Sequence, residues 1–222
     1  MLKKILRNRI NFMIISAIVL LYVTFLTMDI FIQVRSLEAS SLKFTSIVLC
    51  LLLAINLARN SGDKTDSKYV VVALFFTMIA DIFLLFNLSH FAGVATFCVV
   101  QLIYIKRYHR KLFIFALIIA TLIPPAIFFL PFEPLHVLAG AYAIFILTTF
   151  FATFKAKLPA FNLKCIRLGM LLFILCDLHV ALYNQLSSSS SYYSVAAILM
   201  WVFYLPAQVL LTLSAYHQRK YR

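Results

Sequence analysis

The sequence is poor in charge, and above all in acidic charge. Of its 222 residues 12% are charged, only seven are Asp or Glu, and 64% are hydrophobic, which gives a mean hydropathy of +1.00. Globular domains average roughly 45–50% apolar and about 25% charged residues. A water-soluble core cannot bury this much apolar side chain in 25.4 kDa. The composition therefore excludes a soluble enzyme, a nucleic-acid-binding module and a receptor with a folded ectodomain.

Cysteine, glycine and the short motifs of common catalytic folds are also scarce. The four cysteines lie in or beside apolar segments and form no C-x-x-C pair, which predicts small buried side chains rather than a disulfide or metal framework. The four glycines form no G-x-x-x-G motif. No G-x-S-x-G, Walker-type or G-x-G-x-x-G sequence is present, and no His or Cys spacing is typical of a metal site. These absences leave a metal site, a serine hydrolase, a nucleotide-binding protein and a Rossmann fold without support.

Long apolar runs are the main feature that is present. Eight of them are separated by short polar breaks, and a helix needs about 20 apolar residues to cross a bilayer. No run alternates as a strand would, which predicts an all-α polytopic membrane protein with a single transmembrane domain over residues 1–222. The predicted bundle of eight transmembrane helices covers residues 11–33, 41–58, 69–87, 91–105, 112–130, 134–154, 166–186 and 193–215.

Basic residues are distributed unevenly between the two ends of these spans. Of the 20 Lys and Arg, 18 fall on one side, and only Arg35 and Lys43 fall on the other. The positive-inside rule then places the N-terminus and the C-terminus in the cytoplasm, which agrees with an even number of spans. The net charge of +13 needs no nucleic acid to explain it. We expect a multi-pass protein of a bacterial cytoplasmic (inner) membrane; the sequence predicts no oligomeric state. The basic segments are 1–9 (four residues), 59–68 (three), 106–111 (four), 155–167 (four) and 219–222 (three).

Three of the seven acidic residues fall within predicted spans. An ionisable group in a span is costly, normally faces the bundle interior and is a functional hypothesis by default. Asp81 and Asp177 each lie about 17–18 Å along a span that starts in the cytoplasm, so we expect them at nearly equal depth. Asp29 lies near the outer headgroups, where we expect it to pair with Arg35 or Lys43. The other four acids fall in loops, where we expect them to be solvated: Glu38, Asp63, Asp66 and Glu133.

The pairing of Asp81 with Asp177 suggests proton chemistry. Two carboxyl groups that are close together in a medium of low dielectric are not expected to be ionised at the same time. A protonated acid beside an ionised base is suited to general acid–base catalysis on a buried substrate. From the residues alone two alternatives stay open: each aspartate only hydrogen-bonds to neighbouring helices, or the pair belongs to a proton or cation pathway.

Further polar residues lie at similar depth. Tyr204 and Gln208 share one face of the eighth span at i, i+4 spacing, and Gln101 and Tyr104 share one face of the fourth at i, i+3 spacing. These side chains could position a polar headgroup or a water, or they could only join helices. Lys43 opens the second span, where it either attracts a phosphate or extends its ammonium to the interface.

Several of these residues lie in short motifs. Residues 73–85 (ALFFTMIADIFLL) resemble the pattern LxFSxxGDxxLL, and residues 169–177 (GMLLFILCD) are similar to GAxLFxxSD. Residues 204–208 (YLPAQ) match YxxAQ, and Lys43 resembles a lysine that opens a second helix. Together these motifs resemble the YhhN-like membrane proteins, a family of eight-helix proteins that includes the lysoplasmalogenases. The first motif is followed at matching spacing by Phe91, Gly93, Phe97 and Tyr104.

The sequence departs from the family pattern beside both aspartates while retaining the aspartates themselves. Ala80 replaces a glycine before Asp81, and Cys176 replaces a serine before Asp177. Gln101 stands where many members have histidine. Phe44 follows the lysine where proline is common.

The resemblance implies hydrolysis of the vinyl ether bond of lysoplasmalogens to a fatty aldehyde and glycerophospho-ethanolamine or -choline. It implies Asp81 and Asp177 as the acid–base pair, no metal or organic cofactor, and a lysophospholipid substrate taken from the membrane. Alternatives from other classes are a proton- or cation-coupled transporter and a non-catalytic lipid-binding protein. The substrate-binding residues in this interpretation are Lys43, Gln101, Tyr104, Tyr204 and Gln208.

Overall fold

The computed structural model describes residues 1–31, 37–187 and 190–218, and within them the chain is almost entirely helical. These residues contain no strand, and the prediction of an all-α fold is confirmed. Within the described ranges a short N-terminal helix precedes eight long ones. The helices are α1 (Leu2–Leu6), α2 (Arg9–Phe31), α3 (Leu37–Arg59), α4 (Lys64–Leu85), α5 (His90–Tyr108), α6 (Arg110–Phe129), α7 (Pro134–Lys155), α8 (Ala160–Gln185) and α9 (Ser191–Leu213).

Seven of the helices in the described part of the chain are long and apolar enough to cross a membrane, which makes the protein an integral multi-pass membrane protein. The exception among the eight long helices is α5, because polar side chains such as His90, Gln101 and Lys106 lower its mean hydropathy. The predicted count of eight spans and the cytoplasmic location of both termini therefore stay predictions. We call the end of the bundle that is predicted to be cytoplasmic the inner end, and the opposite end the outer end.

The helices pack mainly on their neighbours in the sequence. α2, α3, α4 and α5 follow one another, α5 also packs on α7, and α7 packs on α8. α9 lies along α8 and also contacts α2, α3 and α4, so it has the most interior position. α6 is peripheral: it packs on α5 and α7, and Ala116 is its one buried residue.

Two close helix contacts position the polar residues of the interior. α4 and α5 form a tight hairpin, in which Asn87 takes a positive φ of 53° and the Ser89 hydroxyl caps α5. A Cβ at Gly93 would lie 2.5 Å from a methyl carbon of Leu84, so glycine permits this approach of α5 to α4. Gly169 similarly lets α8 approach α9, because a Cβ there would lie 3.1 Å from the side chain of Leu211.

Polar contacts join α2 to α3 near both ends. At the inner end the Asn56 side-chain amide donates to Oδ1 of Asn11 over 2.7 Å. At the outer end the Lys43 ammonium pairs with Asp29, with Nζ–O distances of 2.8 and 2.9 Å. The expectation that Asp29 pairs with Arg35 or Lys43 is thus confirmed for Lys43, while Arg35 lies outside the described residues.

The expectation that Asp66 is a solvated loop residue is wrong. Asp66 lies in the first turn of α4, which begins at Lys64 rather than at residue 69. Its carboxylate accepts two hydrogen bonds from Arg107, at 3.0 Å from Nε and 2.7 Å from Nη2. His217 Nε2 lies 2.7 Å from the same carboxylate. Charged residues at a helix start lower the local hydropathy, which is why the predicted span began too late.

Candidate active site

Asp81 lies in the last third of α4 and is 4% exposed. The hydroxyl of Tyr204, on α9, lies 2.9 Å from Oδ1 and 2.8 Å from Oδ2 of Asp81 and donates to this carboxyl group. Tyr204 is itself only 5% exposed. The sequence singled out both residues separately, and the fold joins them into one pair.

Asp177 lies on α8 and has a different tyrosine partner. The hydroxyl of Tyr142, on α7, donates to Asp177 Oδ2 over 2.6 Å. The other oxygen, Oδ1, has no hydrogen-bond partner among the described residues, and Asp177 is half-buried. Asp177 therefore has one carboxyl oxygen available to a substrate or a water, whereas both oxygens of Asp81 contact Tyr204.

Tyr142 is the site residue that the sequence analysis missed. It lies within an apolar helix, outside every motif that singled out the other residues. The sequence property that could have indicated Tyr142 is its depth in the membrane. Tyr142 lies about 12 Å along α7 from the outer end, and Asp177 lies about 12 Å along α8 from its outer end at about 1.5 Å per residue.

The two aspartate–tyrosine pairs lie in one region of the bundle without hydrogen-bonding to each other in the described contacts. The Cys176 thiol is close enough to interact electrostatically with both Asp81 and Asp177. Tyr204 and Tyr142 are also within electrostatic range of each other. Cys176 is 3% exposed, so the position that departs from the family's serine is buried in the neighbourhood of both carboxyl groups.

Aromatic rings connect the two pairs. The Phe173 ring lies 5.7 Å from Tyr204 and 5.9 Å from Phe97, and Phe97 lies 6.1 Å from Tyr142, measured between ring centroids. Such edge and tilted contacts are typical of packed aromatic clusters. The carboxyl groups therefore lie in surroundings that are aromatic rather than aqueous.

Lys43 lies on the outer side of this region. Its ammonium is 5.1 Å from the centre of the Trp201 ring and 5.7 Å from that of Phe25, within the range of cation–π attraction. Trp201 in turn contacts Tyr204 edge to face, with ring centroids 5.1 Å apart. Because the Lys43 ammonium is paired with Asp29, a phosphate would have to share or displace that carboxylate.

Gln101, Tyr104 and Gln208 lie on the inner side of the aspartates. All three are 0% exposed, and their side-chain polar atoms form no hydrogen bond to any described residue. The Gln101 amide is nevertheless close enough to the Tyr142 hydroxyl to interact with it. The structure brings Gln101 and Gln208 within about one helical turn of the pairs, but it places Tyr104 a turn deeper. Their predicted role in substrate binding stays a prediction.

Metal ligands are a separate question. In the part of the chain that the structure describes, no three His, Cys, Asp or Glu side chains are grouped as a metal ion would require. The chemistry that this arrangement can perform with its own groups is proton transfer: two carboxyl groups, each oriented by a phenol, in an aromatic interior.

Comparisons with known proteins give a family for the chain. Searches of curated proteins and of solved structures found no match. The YhhN family profile matches residues 39–215, a segment that includes Lys43, both aspartates and both of their tyrosine partners. The chain, with its helical membrane fold and its paired aspartates, belongs to the YhhN family.

Proposed function

We propose that the protein is a lysoplasmalogenase-like hydrolase that cleaves the vinyl ether bond of lysoplasmalogens. The observation that carries this proposal is the pair of carboxyl groups in an aromatic region of the bundle, each hydrogen-bonded by a separate tyrosine. Membership of the YhhN family supports it, because the motifs around both aspartates resemble those of a family that includes lysoplasmalogenases.

The reaction needs an acid, a base and a water. A proton is delivered to the alkenyl carbon that is β to the ether oxygen, and the C=C electron pair forms the new C–H bond. The oxocarbenium ion that results is attacked by water, which loses a proton to a base. As the C–O bond of the hemiacetal breaks, the carboxylate left by the acid takes the hydroxyl proton, and the carboxyl group formed from the base protonates the leaving oxygen. The products are the fatty aldehyde and glycerophospho-ethanolamine or -choline, and both carboxyl groups are back in their starting states. Two carboxyl groups supply these proton transfers without a cofactor.

The hydrogen bonds suggest which aspartate has which role in this proposal. Tyr204 donates to Asp81 between its two oxygens, which suits an ionised carboxylate that accepts only. Asp177 accepts through one oxygen and keeps the other for a proton. Asp177 is then the acid that protonates the alkenyl carbon, and Asp81 stabilises the cation and accepts the proton of water. Tyr142 and Tyr204 are positioning residues.

The substrate has two parts that require different surroundings. In this proposal the alkenyl chain lies among the apolar helices, with the phosphate on the outer side of the aspartates near Lys43. The Lys43 ammonium keeps Asp29 as its partner in the absence of lipid, so the headgroup phosphate competes with that carboxylate. A phosphate that shares the ammonium with Asp29 avoids leaving that carboxylate as an unpaired, largely buried charge.

The test is aldehyde release from lysoplasmenyl-ethanolamine and lysoplasmenyl-choline by the protein purified in detergent. Asp81→Asn and Asp177→Asn should each lower turnover by about 10²–10⁴-fold, the range for general acid–base groups. Asp63→Asn is the matched control, because Asp63 caps the start of α4 far from the site. Size-exclusion profiles and thermal unfolding verify that each variant is folded.

Absence of aldehyde from a well-folded wild type on both substrates would contradict the proposal. The protein would then be reconstituted in vesicles with a pH-sensitive dye to detect proton- or cation-coupled transport. Lysolipid binding without turnover or transport would identify a lipid-binding protein.

A further inference from the structure

Between the aspartates and the inner end, three helices present polar side chains at helical spacing. On α9, Gln208 and Thr212 follow Tyr204 at successive intervals of four residues, so all three lie on one face. On α4, Thr77 lies one turn before Asp81 on the same face. α5 contributes an amide and two phenols. We call the following set the polar column: Thr77, Gln101, Tyr104, Tyr108, Gln208 and Thr212.

The polar column is buried and unsatisfied. Five of its members are 0% exposed and Tyr108 is 5% exposed. Each has at least one buried oxygen or nitrogen atom that forms no hydrogen bond to any described residue. Buried polar groups in native proteins are nearly always hydrogen-bonded, and ordered water provides the partner where protein does not. Six such residues on three helices would be a large collective cost in a dry interior.

Several proximities link the members of the column from Asp81 to Tyr108. Asp81 lies within electrostatic range of the Cys50 thiol, which in turn lies beside Thr212. Cys50 is also within electrostatic range of Tyr104. The Tyr104 ring stacks on Tyr108, with centroids 5.8 Å apart. All of these residues lie within the described ranges.

At its inner end the column reaches a cluster of charged residues. The Arg107 guanidinium lies 5.4 Å from the centre of the Tyr108 ring and donates to Asp66 and to the Ser214 hydroxyl. Asp66 also contacts His217, which is 6% exposed. From Asp66 to Asp81 the distance along α4 is about 22 Å at about 1.5 Å per residue.

At its outer end the column meets aromatic side chains. Beyond Tyr204 lie Trp201 and Phe25, which contact each other edge to face with ring centroids 5.5 Å apart. The Lys43–Asp29 pair lies above these rings. Polar side chains therefore lie between Asp81 and the inner end, whereas aromatic rings lie on its outer side.

We propose that the polar column is a hydrated path that joins the aspartates to the inner face of the protein. Hydrolysis of one vinyl ether consumes one water and no net proton. The column delivers that water to the aspartates. This use rests on the function proposed above, whereas the hydration of the column does not.

Hydroxyl-radical labelling of the protein in nanodiscs tests the hydration directly. Radicals generated by X-rays from bound water modify the side chains that contact it, and mass spectrometry locates the modification. We expect Cys50 and Tyr104 to be labelled although both are 0% exposed. Cys98, a buried thiol packed among apolar side chains near α6 and α7, and Phe145 are the controls and should remain unlabelled. Equal protection of Cys50 and Cys98 would overturn the proposal.

A near-isosteric double variant, Thr77→Val with Thr212→Val, then removes two hydroxyls from the column. We expect Cys50 labelling to fall severalfold, and kcat for the lysolipid to fall with little change in KM. The matched control is Thr153→Val, because the Thr153 hydroxyl is equally buried but bonds to the Phe150 carbonyl. Tyr104→Phe serves as a second variant if the double variant does not fold.

The outcomes separate the two proposals. Labelling of Cys50 that depends on the two hydroxyls, in a protein that releases no aldehyde, would retain the hydrated path and remove the hydrolase. Aldehyde release with Cys50 protected, or with labelling unchanged in the double variant, would retain the hydrolase and overturn the path.

Discussion

Buried polar side chains occur at two levels of this bundle, and they find their partners in different ways. At the inner end all three guanidinium nitrogens of Arg107 bond to Asp66 or to Ser214, and His217 completes the cluster. Further into the bundle, the members of the polar column have polar atoms without a partner among the described residues. A network closed on itself holds helices together, whereas an open one has capacity for another molecule. The contrast separates groups whose partners are other protein groups from groups that can still bind a water.

Removing Arg107 from the inner cluster should have the largest effect on stability. Arg107→Ala leaves Asp66 buried without its main partner, and such a loss costs about 3–5 kcal/mol. For a chain of this size we expect the midpoint of thermal unfolding in detergent to fall by about 10 °C. Arg110→Ala, at an exposed position two residues after the end of α5, is the control and should change it little. An unfolding midpoint unchanged in Arg107→Ala would show that the cluster does not stabilise the fold.

The tyrosine hydroxyls that bond to the aspartates, where the polar column begins, are the second test. Tyr142→Phe and Tyr204→Phe should each lower aldehyde release by about 10–100-fold, because the partner carboxyl group loses its orientation. One hydrogen bond contributes only about 0.5–1.5 kcal/mol to stability, so both variants should stay folded. Tyr192→Phe, at an exposed site, is the control. Wild-type turnover in both variants would exclude a positioning role for the phenols.

The smallest expected changes in stability compare two hydroxyls on α4, one with hydrogen-bond partners and one without a partner among the described residues. The Ser67 hydroxyl lies 2.6 Å from the carbonyl oxygens of both Asp63 and Ala215, so Ser67→Ala should cost about 1–2 kcal/mol. Thr77→Val removes a hydroxyl without a partner among the described residues and should change stability by about 0.5 kcal/mol or less. Unfolding of both variants, measured side by side, gives the difference. Equal losses of unfolding free energy would mean that the Thr77 hydroxyl has a hydrogen bond as strong as those of Ser67.

The fold was largely predictable because lipid imposes a simple rule on sequence. Each predicted span corresponds to one long helix, and the greatest differences are at charged helix starts. α8 begins at Ala160 rather than at residue 166, since Lys164 and the polar Asn162 belong to its first turns. Hydropathy measures which segment resembles hydrocarbon, whereas a helix continues for as long as its backbone hydrogen bonds do. α5 shows the reverse case: it is helical to Tyr108 although its hydropathy is the weakest.

The site was predictable only in part, because partners depend on how helices rotate against one another. Asp81, Asp177 and Tyr204 were found one by one from their cost in a membrane and from their motifs. Which tyrosine bonds to which aspartate is set by helix rotation, and no spacing in the sequence contains that information. For this reason the sequence does not indicate Tyr142, and Asp66, which we expect to be solvated, has Arg107 as its partner.

The pairing of α2 with α3 has a consequence for how the chain enters the membrane. α2 carries Asp29 and α3 carries Lys43, and either charge alone would oppose transfer of its helix into lipid. Together they form a neutral pair, while Asn11 and Asn56 hydrogen-bond at the opposite end. The two helices are therefore suited to leave the translocon as one hairpin, with the first held at the channel until the second has been synthesised.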